Sequence, residues 1–390
     1  MVQAMPDVSP PKWHLAHTSW FFETFVLERE LAEYRSPSPA YKALFNSYYE
    51  AVGPRHPRPE RGQLSRPSLK EIFAYRQQVD AALLRLLAER GSSPWIELGL
   101  QHEQQHQELL VMDVKYNFSR SPLRPAYVAQ PLPPCRPGAP LEFRRFEGGL
   151  VHSGVSPAGA AFSFDNERPA HRRFLEPFEL ATRLVTNAEL LEFIAAGGYG
   201  TPSLWLSDGW AWVREQGVQA PLYWRREADG AWYEFTAHGE LPLDPHAPAC
   251  HLSGYEAAAF AAWAGARLPT EFEWEHAARP FEPGASAESG GTPAGEALRL
   301  HPSAATHSGF SQFFGEVWQW TRSAYEPYPG FKEESGAVAE YNGKFMCGQW
   351  VLRGGSVATP RGHTRATYRN FFYPQQRWPF TGVRLAREAR

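Results

Sequence analysis

The proline-rich stretch at 130–140, QPLPPCRPGAP, divides the chain into two parts of different character. A stretch of this composition is a semi-rigid spacer and does not continue a helix or strand. Before it, apolar residues recur at helical spacing. After it, from Leu141, the pattern changes to short strand-like runs, frequent Gly and long loops, and eleven of the 14 Trp fall there. A chain of 390 residues has room for two domains, or at most three, at roughly 100–200 residues each. The expected organisation is therefore a helical domain over 1–129, a linker over 130–140 and a loop-rich domain of short strands over 141–390.

Residues 70–90 carry Ile72, Phe73, Val79, Leu83, Leu84, Leu86 and Leu87 close to a 3.6-residue repeat, which predicts an amphipathic helix with these residues in the core. Pro94-Trp95-Ile96 opens a second helix reaching about Tyr116, with proline in its first turn. An earlier helix spans about Pro11–Glu30 and carries Trp13, Leu15, Trp20, Phe21, Phe25 and Leu27. Three or four helices in this length suggest a bundle. Beyond the linker, Ser253–Trp263 reads as a helix, and a shorter one lies within RLPTEFEWEHAAR at 267–279. The tryptophans there and in GEVWQWT at 315–321 read as packing, and 280–300 as an exposed loop.

Composition narrows the function. A net charge of −3 and a pI near 6.5 exclude a broad basic surface for nucleic acid. No run of ~18 apolar residues is present, so no membrane span is expected. The opening MVQAMPDVSPPKWHLAH has neither a basic nor an apolar leader region. Three cysteines, Cys135, Cys250 and Cys347, make no disulfide framework and fit a reducing cytoplasm. The 14% aromatic content supplies large buried area and many ring edges to line a pocket.

The sharpest local motif is His102-Glu103-Gln104-Gln105-His106. On a helix, side chains at i and i+4 share a face, so both imidazoles can bind one metal. The pattern also matches H-E-x-x-H, in which the Glu is a general base for zinc hydrolysis; two solvated histidines on a Gln/Glu-rich helix satisfy it equally. A third ligand must come from elsewhere. His14 and His17 stand one turn apart in WHLAHTSWFFETF; His17 shares a face with Trp13, Trp20 and Phe21 and is expected to point inward, His14 toward solvent. Three neutral imidazoles suit Fe, Zn, Cu or Ni alike. Tyr48 and Tyr49 close the run LFNSYY just before a loop holding Arg55, Arg58, Arg61 and Arg66. The tyrosines are either packing or proton donors; the arginines are either a solvated face or a bidentate carboxylate clamp.

In order along the chain, WHLAH-TSWFFETF, LFNSYYEAVG, HEQQH and VLRGGS…YRNFF…RWPF-GVRLAR resemble the iron-dependent sulfoxide synthases of ergothioneine biosynthesis over nearly the whole length. The resemblance implies a DinB-like four-helix bundle followed by a formylglycine-generating-enzyme-like, C-type-lectin-like domain, with the active site between them. It implies Fe(II) held by His17, His102 and His106, O2 as co-substrate, and coupling of a thiol to C2 of the hercynine imidazole. By the same resemblance Gln105, Asn370 and Phe371 line the hercynine site, and Arg58 and Arg61 hold the thiol's carboxylate. Phe371, Phe372 and Trp378 offer faces to the trimethylammonium group. Tyr48 and Tyr49 match the tyrosine pair of the branch that accepts free cysteine. Phe372 stands where the γ-glutamylcysteine-using branch has an Asp, which again favours cysteine. A tyrosine proton would steer the reaction away from thiol oxygenation, with Tyr325, Tyr328 or Tyr373 as other donors. The selenoneine synthases, which use a selenosugar, share the site and stand as an alternative, as do a zinc metallohydrolase built on HEQQH and a non-catalytic lectin-like binding protein. The paired late cysteines of formylglycine-generating enzyme are absent, so that activity is not expected.

Overall fold

The computed structural model describes residues 2–156, 162–282 and 299–389. The chain forms two compact units: Met1–Pro122 together with Glu333–Lys344, and Leu123–Lys332 together with Phe345–Arg390. The architecture is α+β.

The first unit is built on three long helices. Helix α1 (Pro11–Phe22) starts on proline and runs into a π-helical turn, Glu23–Leu27, and a last short turn, α2 (Glu28–Glu30). This matches the helix expected over Pro11–Glu30. A one-turn helix, α3 (Tyr41–Leu44), follows where a bundle would place a full fourth helix. Helix α4 (Leu69–Arg90) begins at a reciprocal cap: Ser68 accepts from the Glu71 N–H while Glu71 accepts from the Ser68 N–H. Such a cap adds about 1 kcal/mol. Helix α5 (Pro94–Ser119) begins on Pro94 behind the Ser93 cap. Helix α1 packs against both α4 and α5, so its circumference is buried from Trp13 to Phe22 except at Leu15.

Two expectations for the helices fail. Phe73 and Leu84 of α4 are 48% and 67% exposed, whereas Ile72, Tyr75, Val79 and Leu86 form its buried stripe. Leu87 is exposed as well, and Tyr75, outside the apolar repeat, faces the core, so the buried arc of α4 is narrower than the repeat. His14, expected in solvent, is 4% exposed, because α1 has neighbours on both sides.

The second unit contains twelve strands among the described residues. Three-stranded β1 (Phe143–Phe146), β4 (Phe178–Ala181) and β12 (Ala386–Glu388) pair antiparallel in the order β1-β4-β12, joining the start of the domain to its end. The hairpin β2 (Gly149–Ser153) and β3 (His171–Leu175) pairs alone. Helices α6 (Asn187–Ala195) and α7 (Ser207–Gln216) precede the sheet β5 (Trp224–Arg226), β6 (Trp232–Thr236) and β7 (Gly239–Pro242). Helices α8 (Gly254–Trp263) and α9 (Glu271–Ala278) fall where expected, each behind a reciprocal cap, at Ser253/Glu256 and Thr270/Glu273. The last sheet runs β10-β9-β8-β11, with β8 (Trp318–Ala324), β9 (Trp350–Arg353), β10 (Asn370–Phe372) and β11 (Thr381–Gly382), β11 lying parallel to β8.

A core of Val151, Leu175, Phe178, Leu180, Trp274 and Phe313 holds this unit. Beside it lies a buried charge network: Glu271 accepts from Arg353 at 2.7 Å and from Arg369 at 2.9 Å, and Glu275 from Arg353 at 3.1 Å. The tryptophans at 274, 318 and 320 are fully buried, as packing residues should be. Of the loop expected over 280–300, residues 283–298 lie outside the described residues.

Candidate metal centre

Close approach of α1 and α5 is permitted by a missing side chain. Gly99 lies one turn before His102 on α5, and a Cβ there would stand 2.3 Å from the Phe22 ring of α1. That packing brings His17 of α1 up to His102 and His106 of α5. One ring nitrogen from each of the three lies within 4.8 Å of the others. His17 and His102 are buried; His106 keeps some surface.

Each ring is held from outside the cluster. His17 stacks between Trp13, at 4.6 Å, and Trp20, at 5.3 Å. Its Nδ1 donates to the Phe45 carbonyl at 2.6 Å, so Nε2 carries the lone pair, and Nε2 is buried without a hydrogen-bond partner. His102 stacks on Phe21 at 4.0 Å, and its Nδ1 is likewise buried without a partner. His106 Nδ1 lies 2.9 Å from His14 Nδ1. Burial lowers all three imidazoles, and their mutual repulsion adds to the effect at His17 and His106. His102 is pushed down to about 3, mainly by desolvation. The rings are therefore neutral at pH 7. Two buried, unpartnered nitrogens, at His17 and His102, in a cluster of three neutral imidazoles within 4.8 Å of one another are a poor way to end a core and a good way to hold a divalent cation. The residues fit a metal; the three-nitrogen donor set leaves further coordination positions open but does not by itself choose between iron and zinc.

Glu103, within the same motif, is paired elsewhere. Arg76 of α4 donates to it at 2.6 Å and also to the Thr18 hydroxyl at 3.0 Å. Its carboxylate serves the α4–α5 contact.

The two tyrosines sit in one wall of the same unit. Asn46 builds the turn that presents them: its Oδ1 accepts from the Tyr49 N–H at 2.9 Å, and its amide donates to the Tyr49 and Gly53 carbonyls. Tyr49 is fully buried, its ring stacked on Tyr48 and their hydroxyls 3.3 Å apart. Burial pushes its phenol well above the usual range, and the neighbouring Tyr48 and Tyr341 add to this. Sequence reasoning missed Tyr341. It arrives on the returning segment 333–344, donates to Gln105 Oε1 and stands 5.9 Å from the His102 ring. Glu340 ties that segment down by accepting from the Glu50 and Ala51 N–H groups at 3.0 and 2.8 Å.

The arginines divide. Arg61 is buried, lies 3.4 Å over the Trp13 ring and donates to the Ser9 hydroxyl at 3.0 Å. Arg58 is exposed and donates to the Asp7 carbonyl. Asn370, Phe371 and Phe372 belong to the second unit, where they form half-buried β10. Asn370 Oδ1 accepts from the Phe371 N–H, Phe371 stacks on Tyr325 at 4.1 Å, and Phe372 meets the buried Trp378 edge-on at 5.7 Å. Tyr325 and Tyr328 are buried in the network around Arg369 and Glu271, whereas Tyr373 is exposed.

Residues 142–389 match the family described as the sulfatase-modifying factor enzyme 1-like domain. The class is thus such a domain joined to a helical unit bearing a three-histidine cluster. The whole chain is 35% identical to the hercynine oxygenase of Mycolicibacterium smegmatis, across 98% of this chain and 92% of that one. It is 34% identical to the hercynine oxygenase of Mycolicibacterium thermoresistibile, across 98% and 88%. It is also 30% identical to ergothioneine biosynthesis protein 1 of Schizosaccharomyces pombe, across 58% of this chain and 28% of that one. The chain belongs to the hercynine oxygenase family and is an oxygenase. Among the described residues no helix is long and apolar enough to cross a membrane.

Proposed function

We propose that the protein is a non-haem Fe(II) enzyme of ergothioneine biosynthesis that uses O2 to join cysteine to C2 of the hercynine imidazole as a sulfoxide. The observation that carries the reading is the set of three neutral histidine nitrogens within 4.8 Å, in a chain similar to hercynine oxygenases along nearly all of its length. His17, His102 and His106 hold the metal. Bound Fe(II) would supply open coordination positions and a relay to O2 for the four electrons that the thiol and hercynine give up.

The chain's own residues do the rest. Gln105, whose Oε1 accepts from the Tyr341 hydroxyl, meets the substrate imidazole. Asn370 and Phe371 act on hercynine, and Phe371, Phe372 and Trp378 suit its trimethylammonium, at about 0.5–2 kcal/mol per cation–π contact. The Tyr48–Tyr49 pair is the proton source: burial pushes the Tyr49 phenol well above its usual range, so it holds its proton at neutral pH, and its hydroxyl lies 3.3 Å from that of Tyr48. Arg58 takes the thiol's carboxylate. Arg61, stacked on Trp13, supports the wall beside His17 and contributes its positive field. Phe372, at its position, offers no carboxylate to a γ-glutamyl amine, which favours cysteine as the donor.

A zinc hydrolase is disfavoured by the Arg76–Glu103 ion pair, which occupies the carboxylate that such an enzyme would need as base. The test is anaerobic loading with Fe(II), then air with hercynine and either cysteine, γ-glutamylcysteine or a selenosugar. Mass spectrometry should find the cysteine conjugate formed with the highest kcat/KM. A conjugate formed only with the selenosugar, or none with any donor, would overturn the reading.

A further inference from the structure

The two helices that supply the histidine cluster also supply a second, buried pair behind it. His14 precedes His17 by one turn of α1, and Asp113 follows His106 by two turns of α5. Both are nearly inaccessible, at 4% and 3% exposure. Asp113 Oδ2 accepts from the Ser9 N–H at 2.7 Å and from His14 Nε2 at 2.9 Å. His14 Nδ1 faces His106 Nδ1 at 2.9 Å. The chain Asp113–His14–His106 is thus continuous.

Hydrogen-bond roles along it follow from the ligand reading of His106. His106 Nδ1 is turned to His14, so Nε2 is the nitrogen left for a metal, and its hydrogen then sits on Nδ1 and is donated to His14 Nδ1. His14 in turn donates from Nε2 to the Asp113 carboxylate, which only accepts. The opposite order would leave His106 with a hydrogen on Nε2, unable to ligate through it. His17 reaches the same tautomer by donating Nδ1–H to the Phe45 carbonyl. His106 has no backbone carbonyl in that role; a second histidine and a carboxylate take its place.

We infer that His14 and Asp113 are positioning residues that fix the tautomer and ring orientation of His106 and so set the affinity of the metal centre. The inference rests on the reading of His17, His102 and His106 as metal ligands. Outer partners of this kind alter metal affinity by about 10- to 100-fold when changed.

Asp113 Oδ2 takes both bonds, so Asp113→Leu makes the test: it removes the acceptor that fixes the His14 hydrogen on Nε2. Long-range 15N–1H NMR of the metal-free protein reads the consequence directly. Wild type should show the Nδ1–H tautomer at His106 and Asp113→Leu a mixture of the two tautomers. Fe(II) affinity, measured anaerobically by chelator competition, should fall about 10- to 100-fold. Should Asp113→Leu fold poorly, His14→Gly serves instead: it should lose affinity in the same range and recover it on adding imidazole. An Nε2–H tautomer in wild-type His106, or Fe(II) affinity within twofold of wild type in a folded variant, would overturn the inference. Failure of the wild type to bind Fe(II) would overturn the functional reading itself, a result distinguishable because the tautomers are read without metal.

Discussion

The Nδ1–H of His17 donates to the carbonyl of Phe45 at 2.6 Å, and the ring's other nitrogen is left buried with nothing to bond. The donation turns that lone pair inward beside His102 and His106. Replacing His17, His102 or His106 with Ala should abolish stoichiometric Fe(II) binding, read by metal analysis after anaerobic gel filtration, and should abolish turnover with it. Full retention of iron by any one of these variants would remove that residue from the ligand set.

Glu103→Gln should keep most of the activity. Glu103 is spent on Arg76, and the proposed reaction activates no water. The substitution exchanges an ion pair for a neutral hydrogen bond in a partly exposed contact, a modest loss of stability. Steady-state kinetics decide the matter: a fall of several orders of magnitude in kcat would restore the hydrolase reading.

Acid should destabilise the metal-free protein. In the unfolded chain a histidine titrates near 6.5. Burial holds His102 down to about 3, and His17 and His106 well below the ordinary range. Between those values the unfolded state binds protons that the folded state does not. Stability is therefore full above about pH 6.5 and falls by about 1.4 kcal/mol per pH unit for each such histidine as the pH drops. Glu316, pushed up to about 7 by burial, acts in the opposite sense. The difference between wild type and His102→Gln isolates the effect: urea unfolding at pH 6.0 and 5.0 should show a shallower loss in the variant. Equal slopes would contradict a neutral buried His102.

Tyr49→Phe, alone or with Tyr48→Phe, should leave iron and substrate binding intact. The ring stays, so packing changes little, and only the hydroxyl 3.3 Å from Tyr48 is lost. Products measured by NMR under air should shift from sulfoxide toward cysteine sulfinic acid. An unchanged ratio in the double variant would assign the proton to another group; Tyr341, which shares the wall and bonds to Gln105, is then the one to test.

The long helices were legible because their signals are local. Ser68 with Glu71 marks the start of α4, Pro94 that of α5, and the Trp13–Trp20–Phe21 face points His17 inward. His14 reads as solvent-facing from α1 alone, but contact with both α4 and α5 leaves that helix nearly no exposed side. The partner of His14, Asp113, lies seven residues past His106 on the same helical face, a spacing that was there to be read. Tyr341 carried no such signal. It meets Gln105 across 236 positions in sequence, on a segment whose composition marks it only as loop. The strands of the second unit are mostly three to five residues long, too short for a period-2 pattern to stand out.

Isotope labelling tests the proposed chemistry most directly. Joining hercynine to cysteine as a sulfoxide removes the C2 and thiol hydrogens, places one atom of O2 on sulfur and sends the other to water. Fe(II)-loaded protein supplied with hercynine, cysteine and 18O2 should yield the conjugate carrying one 18O, with none incorporated from labelled water. A conjugate whose oxygen derives from water, or the absence of a conjugate while cysteine is consumed to sulfinic acid alone, would contradict the account.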